Sequence, residues 1–177
     1  MIKYVAFLRG INVGGHKLIK MEELSRIFTS LGCKNVKTYI QSGNVIFETS
    51  ASDSKALTKK IEKELLDIFG YEATVFLRTM AEVEDMLDQN PFKKFKSSAK
   101  VKMYVTFLSR IPDKKPKLPL VSAKDGLEIF SIKNCEAFLL SQMVKGRFGF
   151  PNNFIEKEVG VPATTRNWNT VNKIIDL

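Results

Sequence analysis

The spacing of hydrophobic and polar positions predicts alternating strands and helices in the first 79 residues. Residues 2–8 (IKYVAFL) are almost all apolar and β-prone, which predicts a strand covered on both faces. Two later segments carry apolar residues at helical spacing and end at a glycine. The expected elements are strand 2–8, helix 21–31, strands KNVKTYIQ and NVIFET around a turn at Ser42 and Gly43, a helix from Ser52 or Asp53 to Gly70, and strand ATVFLRT. This order, βαββαβ, is that of a ferredoxin-like unit.

Residues 80–177 show a less regular pattern of the same kind. Thr79 and Glu82 have the spacing of a capping box, which predicts a helix that ends at Asn90 and Pro91. The further elements expected are strand VKMYVTFL, a short helix beginning near Pro119, hairpin GLEIFSIKNCEAFLLSQ, a short helix closed by Gly160, a short strand 161–165 and a last helix around Trp168. We therefore predict an α+β fold of two ferredoxin-like subdomains, 1–79 and 80–177, related by structural duplication.

The composition is that of an ordinary globular protein, but its charge is uneven. Apolar residues make up 44% of the 177 residues, and the formal net charge is +9. Between residues 91 and 124, ten cations accompany one acid, Asp113. Neutralising a polyanion is one role for such a segment, and solvated lysines on proline-rich loops are the alternative. The candidate nucleic-acid-binding residues are Lys93, Lys94, Lys96, Lys114, Lys115 and Lys117.

The remaining composition restricts the compartment and the chemistry. Cys33 and Cys135 form neither a CxxC pair nor a metal-ligand spacing with His16, so we expect reduced thiols, no metal and no cofactor. Arg9 interrupts the apolar N-terminal stretch, which we interpret as a strand and not as a signal peptide. No segment reaches the roughly 20 apolar residues of a membrane helix, and we predict a cytoplasmic protein without membrane contact.

Three polar segments are candidate sites. Residues 9–17 (RGINVGGHK) form a glycine-rich loop between a strand and a helix, which can bind phosphate through backbone amides, although the segment matches neither standard phosphate-binding motif. Residues 39–45 are largely explained by hairpin chemistry, with Gln41 and Asn44 satisfying turn backbone groups. Residues 164–170 surround the single tryptophan with polar groups, where a helix cap is the alternative.

The same segments carry a family resemblance. LRGINVGG, TYIQSGNVIF and TRNWNTV, in that order, resemble the signature of a bacterial family known as domain of unknown function 1697. The resemblance implies a pair of ferredoxin-like subdomains. It implies no reaction, because the family has no established activity.

We predict that the first loop, and not the turn, lines a site between the two halves. In a ferredoxin-like unit we expect strands one and three to run parallel, which would put the 9–17 loop and the 42–44 turn at opposite ends of the sheet. The candidate anion ligands are Arg9, Gly10, Asn12, Gly14, Gly15, Lys17, Arg166, Asn167 and Trp168.

The resulting hypothesis is a non-enzymatic binding protein for a phosphate-bearing partner, with nucleic acid and nucleotide equally open. One alternative is an enzyme that acts on a small anionic metabolite in a cleft between the halves, with His16 as a candidate general base. Another is a protein–protein adaptor that uses its sheet edges. The sequence does not decide the oligomeric state.

Overall fold

The computed structural model describes residues 1–12, 18–114 and 116–177, which form an α+β fold. These residues contain nine strands, in two antiparallel sheets, and five helices. The strands are β1 (Ile2–Arg9), β2 (Lys34–Tyr39), β3 (Asn44–Thr49), β4 (Thr74–Thr79), β5 (Val101–Leu108), β6 (Leu120–Ser122), β7 (Leu127–Lys133), β8 (Glu136–Gln142) and β9 (Ala163–Asn167). The helices are α1 (Met21–Ser30), α2 (Ser54–Phe69), α3 (Met80–Asp88), α4 (Pro151–Val159) and α5 (Trp168–Ile174). No helix among the described residues is both long and apolar enough to span a bilayer.

The chain forms two compact units, and the first consists of Met1–Met86 with Ile174–Leu177. Its sheet has the strand order β2-β3-β1-β4. The residues of β1 from Tyr4 to Leu8 are at most 2% exposed, so the prediction of a strand buried on both faces is confirmed. One face packs against Phe28 of α1 and Ile61 of α2, and this cluster is the core of the unit.

Local sequence signals set the helix ends in this unit. The Asp53 carboxylate accepts two amide hydrogen bonds of 3.0 Å from the first turn of α2, and Gly70, with φ +72°, ends the helix. At α3, the Thr79 hydroxyl accepts from the amide of Glu82 at 3.2 Å, and Oε2 of Glu82 accepts from the amide of Thr79 at 2.7 Å. The predicted capping box is therefore confirmed.

The expected parallel arrangement of strands one and three is wrong. β3 pairs with β1 in antiparallel register, with Phe7 opposite Asn44. The crossover through α1 leaves β2 running in the same direction as β1, and the hairpin from β2 into β3 then reverses the chain. The loop after β1 and the turn before β3 consequently lie at the same end of the sheet.

The second unit, Leu87–Lys173, contains a five-stranded sheet with the order β6-β7-β8-β5-β9. Its core cluster includes Leu108, Leu139 and Ile155, the last of which belongs to α4. The short helix predicted near Pro119 is wrong, because residues 120–122 form strand β6 against β7. Leu118 and Leu120 both pack on the core cluster, and a two-residue spacing on one face is the period of a strand.

Candidate functional site

The loop after β1 and the turn between β2 and β3 meet at one end of the first sheet. We call residues 9–12 and 40–44 the paired loops. The amide of Leu8 donates to the carbonyl of Gly43 at 2.8 Å. Gly43 has φ +75°, and a Cβ at this position would lie 2.5 Å from Cδ1 of Ile11. Only glycine therefore allows the turn to approach the first loop this closely.

Asn12 links three parts of the chain through its side-chain amide. Its Oδ1 accepts from the amide of Ile19 at 2.7 Å, and its Nδ2 donates to the carbonyl of Gln41 at 2.9 Å and to that of Ile19 at 3.3 Å. Its φ of +52° is one that asparagine tolerates better than most residues. The side chain thus fixes the first loop to the turn. This structural role explains an asparagine at position 12, and no bound ligand is needed to explain it.

Asn44 stabilises the turn itself. It is completely buried, and its Nδ2 donates to the carbonyl of Tyr39 at 3.0 Å and to the hydroxyl of Ser42 at 2.9 Å. Ile40, in the same turn, has φ +49° and is 48% exposed. A positive φ is unfavourable for a β-branched residue, so contacts elsewhere in the turn must hold this conformation.

The central part of the predicted phosphate loop lies outside the described residues. This applies to Gly14, Gly15, His16 and Lys17. Of the neighbouring candidates, Gly10 has φ +84°, and the nearest atom to a Cβ there would be 3.7 Å away. The backbone conformation, and not lack of space, therefore favours glycine at position 10. Arg9 is half-buried at the end of β1.

Arg166 belongs to β9 and is buried, with 7% of the residue exposed. Its Nη1 donates to Oγ1 of Thr164 and to the carbonyl of Thr165, both at 2.9 Å. Burial lowers the pKa of the Arg166 guanidinium to about 10, because desolvation disfavours the charged form. These contacts hold the side chain in place in the protein interior.

The two residues after Arg166 have clear structural contacts. Oδ1 of Asn167 accepts from the amide of Asn169 at 2.9 Å, at the start of α5. The ring of Trp168 packs on Phe92 and Phe138, with centroids 4.9 Å and 6.3 Å apart. The polar density of this segment thus includes a helix cap beside a core tryptophan. The convergence of Arg9 and Arg166 on an anion stays a prediction.

The structure also contains a partly buried polar row that sequence reasoning did not find. The hydroxyls of Thr106 and Thr165 lie 2.8 Å apart, and the Thr165 hydroxyl donates to Oδ1 of Asn152 at 3.2 Å. The three residues come from β5, β9 and α4. No sequence motif connects these three residues. The only sign of the row in the sequence is Thr106, a polar residue among the apolar residues of β5.

All of the net charge lies in the second unit. Leu87–Lys173 contains 16 lysines and arginines and 7 acids, whereas the first unit contains 12 of each, which together make the 28 and 19 of the chain. Asp113, the one acid between residues 91 and 124, forms a salt bridge of 2.7 Å with Arg110. The lysines of this segment are therefore not neutralised by acids within it.

The predicted nucleic-acid-binding lysines fall into two groups on either side of β5. Lys93, Lys94 and Lys96 precede the strand and are exposed, and Lys114 and Lys117 follow it and are exposed. Lys115 lies outside the described residues. A strand of 8 residues spans about 25 Å. In the sequence, the two groups thus flank β5, one on each side of this long strand.

The aromatic residues near the first group pack against the sheet, where Phe92 is buried and Phe95 is half-buried. The ring centroids of Phe92 and Phe95 lie 5.3 Å and 4.6 Å from that of Phe130 in β7. Phe92 also contacts Phe138 at 5.9 Å. These ring contacts consequently anchor the lysine-bearing loop to the sheet.

A concave surface of the second unit lies where two tight turns come together. It has a volume of about 490 Å³, and we call it the turn groove. Its lining residues are Lys124, Asp125, Val144, Lys145, Arg147, Phe148 and Gly149. Nζ of Lys102 lies 4.2 Å from the centroid of the Phe148 ring. The groove thus brings several exposed cations close to an aromatic side chain on one open, concave surface.

Comparison with known proteins identifies the family. The sequence profile described as "Protein of unknown function (DUF1697)" matches residues 1–138. The chain belongs to this family. Among solved structures it is similar to the conserved bacterial protein SP0830 from Streptococcus pneumoniae, with a TM-score of 0.67 and 21% identity over 99% of this chain and 97% of that chain. No curated protein matches the sequence.

The similarity to SP0830 at this identity shows a shared fold alone. The DUF1697 match includes the paired loops and extends to the first residues of β8. It ends before residues 144–149, which form part of the turn groove. In the part of this DUF1697 protein that the structure describes, no three histidine, cysteine or acidic side chains come together as a metal site would require.

Proposed function

We propose that the protein binds a phosphate-bearing partner, nucleic acid or nucleotide, through the cationic surface of its second unit. One observation carries the proposal: the whole net charge of +9 belongs to Leu87–Lys173. A neutral first unit joined to a strongly basic second unit is a more specific feature than a basic composition alone. Counterion release from phosphates would provide the free energy of association.

The exposure of the lysines supports this proposal. Lys93, Lys94 and Lys96 are solvent-exposed on a loop that Phe92 and Phe95 fix to the sheet. Lysine is a strongly hydrated point charge, and it binds phosphate without the bidentate geometry of arginine. Such a surface favours a partner recognised by its backbone charge over one recognised by base sequence.

The test is the salt dependence of binding by the full chain. We would titrate the protein into fluorescein-labelled single-stranded RNA, single-stranded DNA and duplex DNA, and measure fluorescence anisotropy between about 50 and 300 mM KCl. The logarithm of the association constant is expected to fall linearly with the logarithm of salt concentration, by about 0.9 per phosphate neutralised in a duplex and about 0.7 in a single strand. A thermal-shift screen with nucleotides, at the same salt concentrations, covers the nucleotide form of the proposal.

Matched variants connect the binding to the second unit. Replacing Lys93, Lys94 and Lys96, or Lys114, Lys115 and Lys117, with alanine is expected to weaken oligonucleotide binding and to reduce the salt slope. The control replaces three exposed lysines of the neutral unit, Lys34, Lys55 and Lys59, and is expected to bind like the wild type. Equal loss in the control and in the test variants would contradict the proposal, as would a wild-type protein that binds neither oligonucleotides nor nucleotides.

We further propose that both units are ferredoxin-like and arose by duplication. The supporting observation is the strand order of the two sheets. When the three-residue edge strand β6 is left out and the strands of each unit are numbered in chain order, β2-β3-β1-β4 and β7-β8-β5-β9 have the same order. The second unit departs from the pattern in one place, because β6 stands where the first helix of a ferredoxin-like unit belongs. A cytoplasmic location, in which Cys33 and Cys135 stay reduced, is part of the same proposal.

A further inference from the structure

We propose that the turn groove is a binding site for single-stranded nucleic acid, in which cations contact phosphates and Phe150 stacks on an unpaired base. This inference rests on the proposed function. It locates the binding site at residues other than the six lysines predicted from the sequence. The groove is formed by residues that follow β6 and β8, outside the loop that carries Lys93, Lys94 and Lys96.

The charge of the groove suits a polyanion. Lys124, Lys145 and Arg147 are exposed at its edge, and within residues 1–12, 18–114 and 116–177 none of their charged groups forms an ion pair. The one acid of the lining, Asp125, accepts a hydrogen bond of 2.7 Å from the hydroxyl of Ser122 and so stabilises its own turn. A volume of about 490 Å³ lies within the roughly 300–1,000 Å³ common for ligand sites.

The groove has two walls, the turn at residues 124–126 and the turn at residues 144–149, and two glycines allow their backbones to approach closely. A Cβ on Gly126 would lie 2.2 Å from the carbonyl oxygen of Gln142, and a Cβ on Gly149 would lie 2.3 Å from that of Asp125. The hydroxyl of Ser141 donates to the carbonyl of Gly149 at 3.2 Å, which fixes the second wall to β8. Since the walls are set by backbone contacts, the site needs little ordering on binding, and preorganisation of this kind improves affinity.

Aromatic side chains distinguish a single strand from a duplex. Phe150 directly follows the lining residue Gly149 and is 71% exposed, although an exposed phenylalanine gains nothing from water. Stacking of bases on exposed aromatic rings beside a cationic groove is the usual mode of single-strand binding. A base paired in a duplex has no free face, so this mode excludes duplex DNA.

The start of α4 adds to the positive potential. Phe150 is the N-cap residue of this nine-residue helix, its side chain makes no capping hydrogen bond, and no acid lies in the first turn. The positive end of the helix dipole is therefore not neutralised by a side chain of that turn. This helix end reinforces the cations at the point where Phe150 would hold a base.

The experiment uses the full chain and a fluorescein-labelled oligouridylate of about 12 nucleotides, with anisotropy as the readout. Phe150→Leu keeps an apolar side chain and removes the ring, and we expect it to weaken binding about 5- to 150-fold. Lys145→Ala combined with Arg147→Ala is expected to reduce the salt slope by about 0.7 for each phosphate that the variant no longer neutralises. Phe150→Trp should retain affinity, and its added fluorescence should be quenched by the oligonucleotide.

The controls separate this inference from the function on which it rests. Ile68→Ala removes an exposed apolar side chain of the first unit, and we expect it to bind oligouridylate like the wild type. If the wild type binds with a steep salt dependence but Phe150→Leu and the double variant bind equally well, the groove is the wrong site while the proposed function survives. Duplex DNA bound as tightly as the single strand also overturns the inference. A wild type that binds no oligonucleotide overturns it and removes the nucleic-acid form of the proposed function as well.

Discussion

Replacing Gly43 with alanine tests whether the paired loops are held together by a close backbone approach. Gly43 has φ +75°, where an L-residue with a Cβ is disfavoured by about 1–2 kcal/mol. In addition, the new Cβ would lie 2.5 Å from Cδ1 of Ile11 and 2.9 Å from Cβ of Leu8. Leu8 belongs to β1 and cannot move freely, so relieving the overlap is expected to cost a further 1–3 kcal/mol or so. The total loss in the free energy of unfolding is about 2–5 kcal/mol.

Gly32→Ala is the matched control for the backbone part of this effect. Gly32 has φ +85°, but no atom lies within 4 Å of a Cβ at that position. This variant should therefore show only the conformational cost of about 1–2 kcal/mol. The difference between the two variants isolates the steric contact with Ile11 and Leu8.

Urea denaturation followed by far-UV circular dichroism measures the difference. Both variants are expected to lower the midpoint with little change in m, and Gly43→Ala should lower it more. If the two variants are equally stable within about 0.5 kcal/mol, the contact between the turn and the first loop does not exist as described, and the reasoning fails.

Three further predictions follow from burial. Asn44→Ala should destabilise the protein by about 1–3 kcal/mol in the same urea assay, because it leaves the carbonyl of Tyr39 without one of its donors. Cys33 is buried and desolvation raises the pKa of its thiol, so it should react with a thiol reagent more slowly than the half-buried Cys135, which a biphasic absorbance trace would show. Burial also raises the pKa of several tyrosine hydroxyls above the ordinary value of 10.0, and the folded state then keeps protons that the unfolded state loses. Thermal stability should fall as pH rises above about 10, and a melting temperature that increases there would contradict this. The residues concerned are Tyr4, Tyr71 and Tyr104.

The turn groove shows why a binding surface of this kind is hard to find in a sequence. Lys124 lies at the end of the lysine-rich segment, but Lys145 and Arg147 come about twenty residues later, outside that segment. Gly126 and Gly149 bring the two turns together, and each glycine alone indicates only a turn. A pattern read along the chain does not report which turns touch.

Local signals in the sequence were sufficient to predict most elements of the fold. Asp53, Gly70 and the pair Thr79 and Glu82 act on backbone groups within a few residues of themselves, so their effect can be predicted without knowledge of the fold. The apolar run of β1 likewise predicted burial on both faces. The concentration of the net charge in the second half is also a property of the sequence alone.

The tertiary structure decided how these elements combine. It made β3 antiparallel to β1, which joined two motifs that the sequence interpretation had separated, and Asn12 and Gly43 then hold them together. It also buried Arg166, a residue that sequence alone identifies only as a cation in a polar segment. Strand direction, burial and groove shape depend on contacts between residues far apart in the chain. Their free energy comes from packing and desolvation, which are fixed only when the whole unit folds.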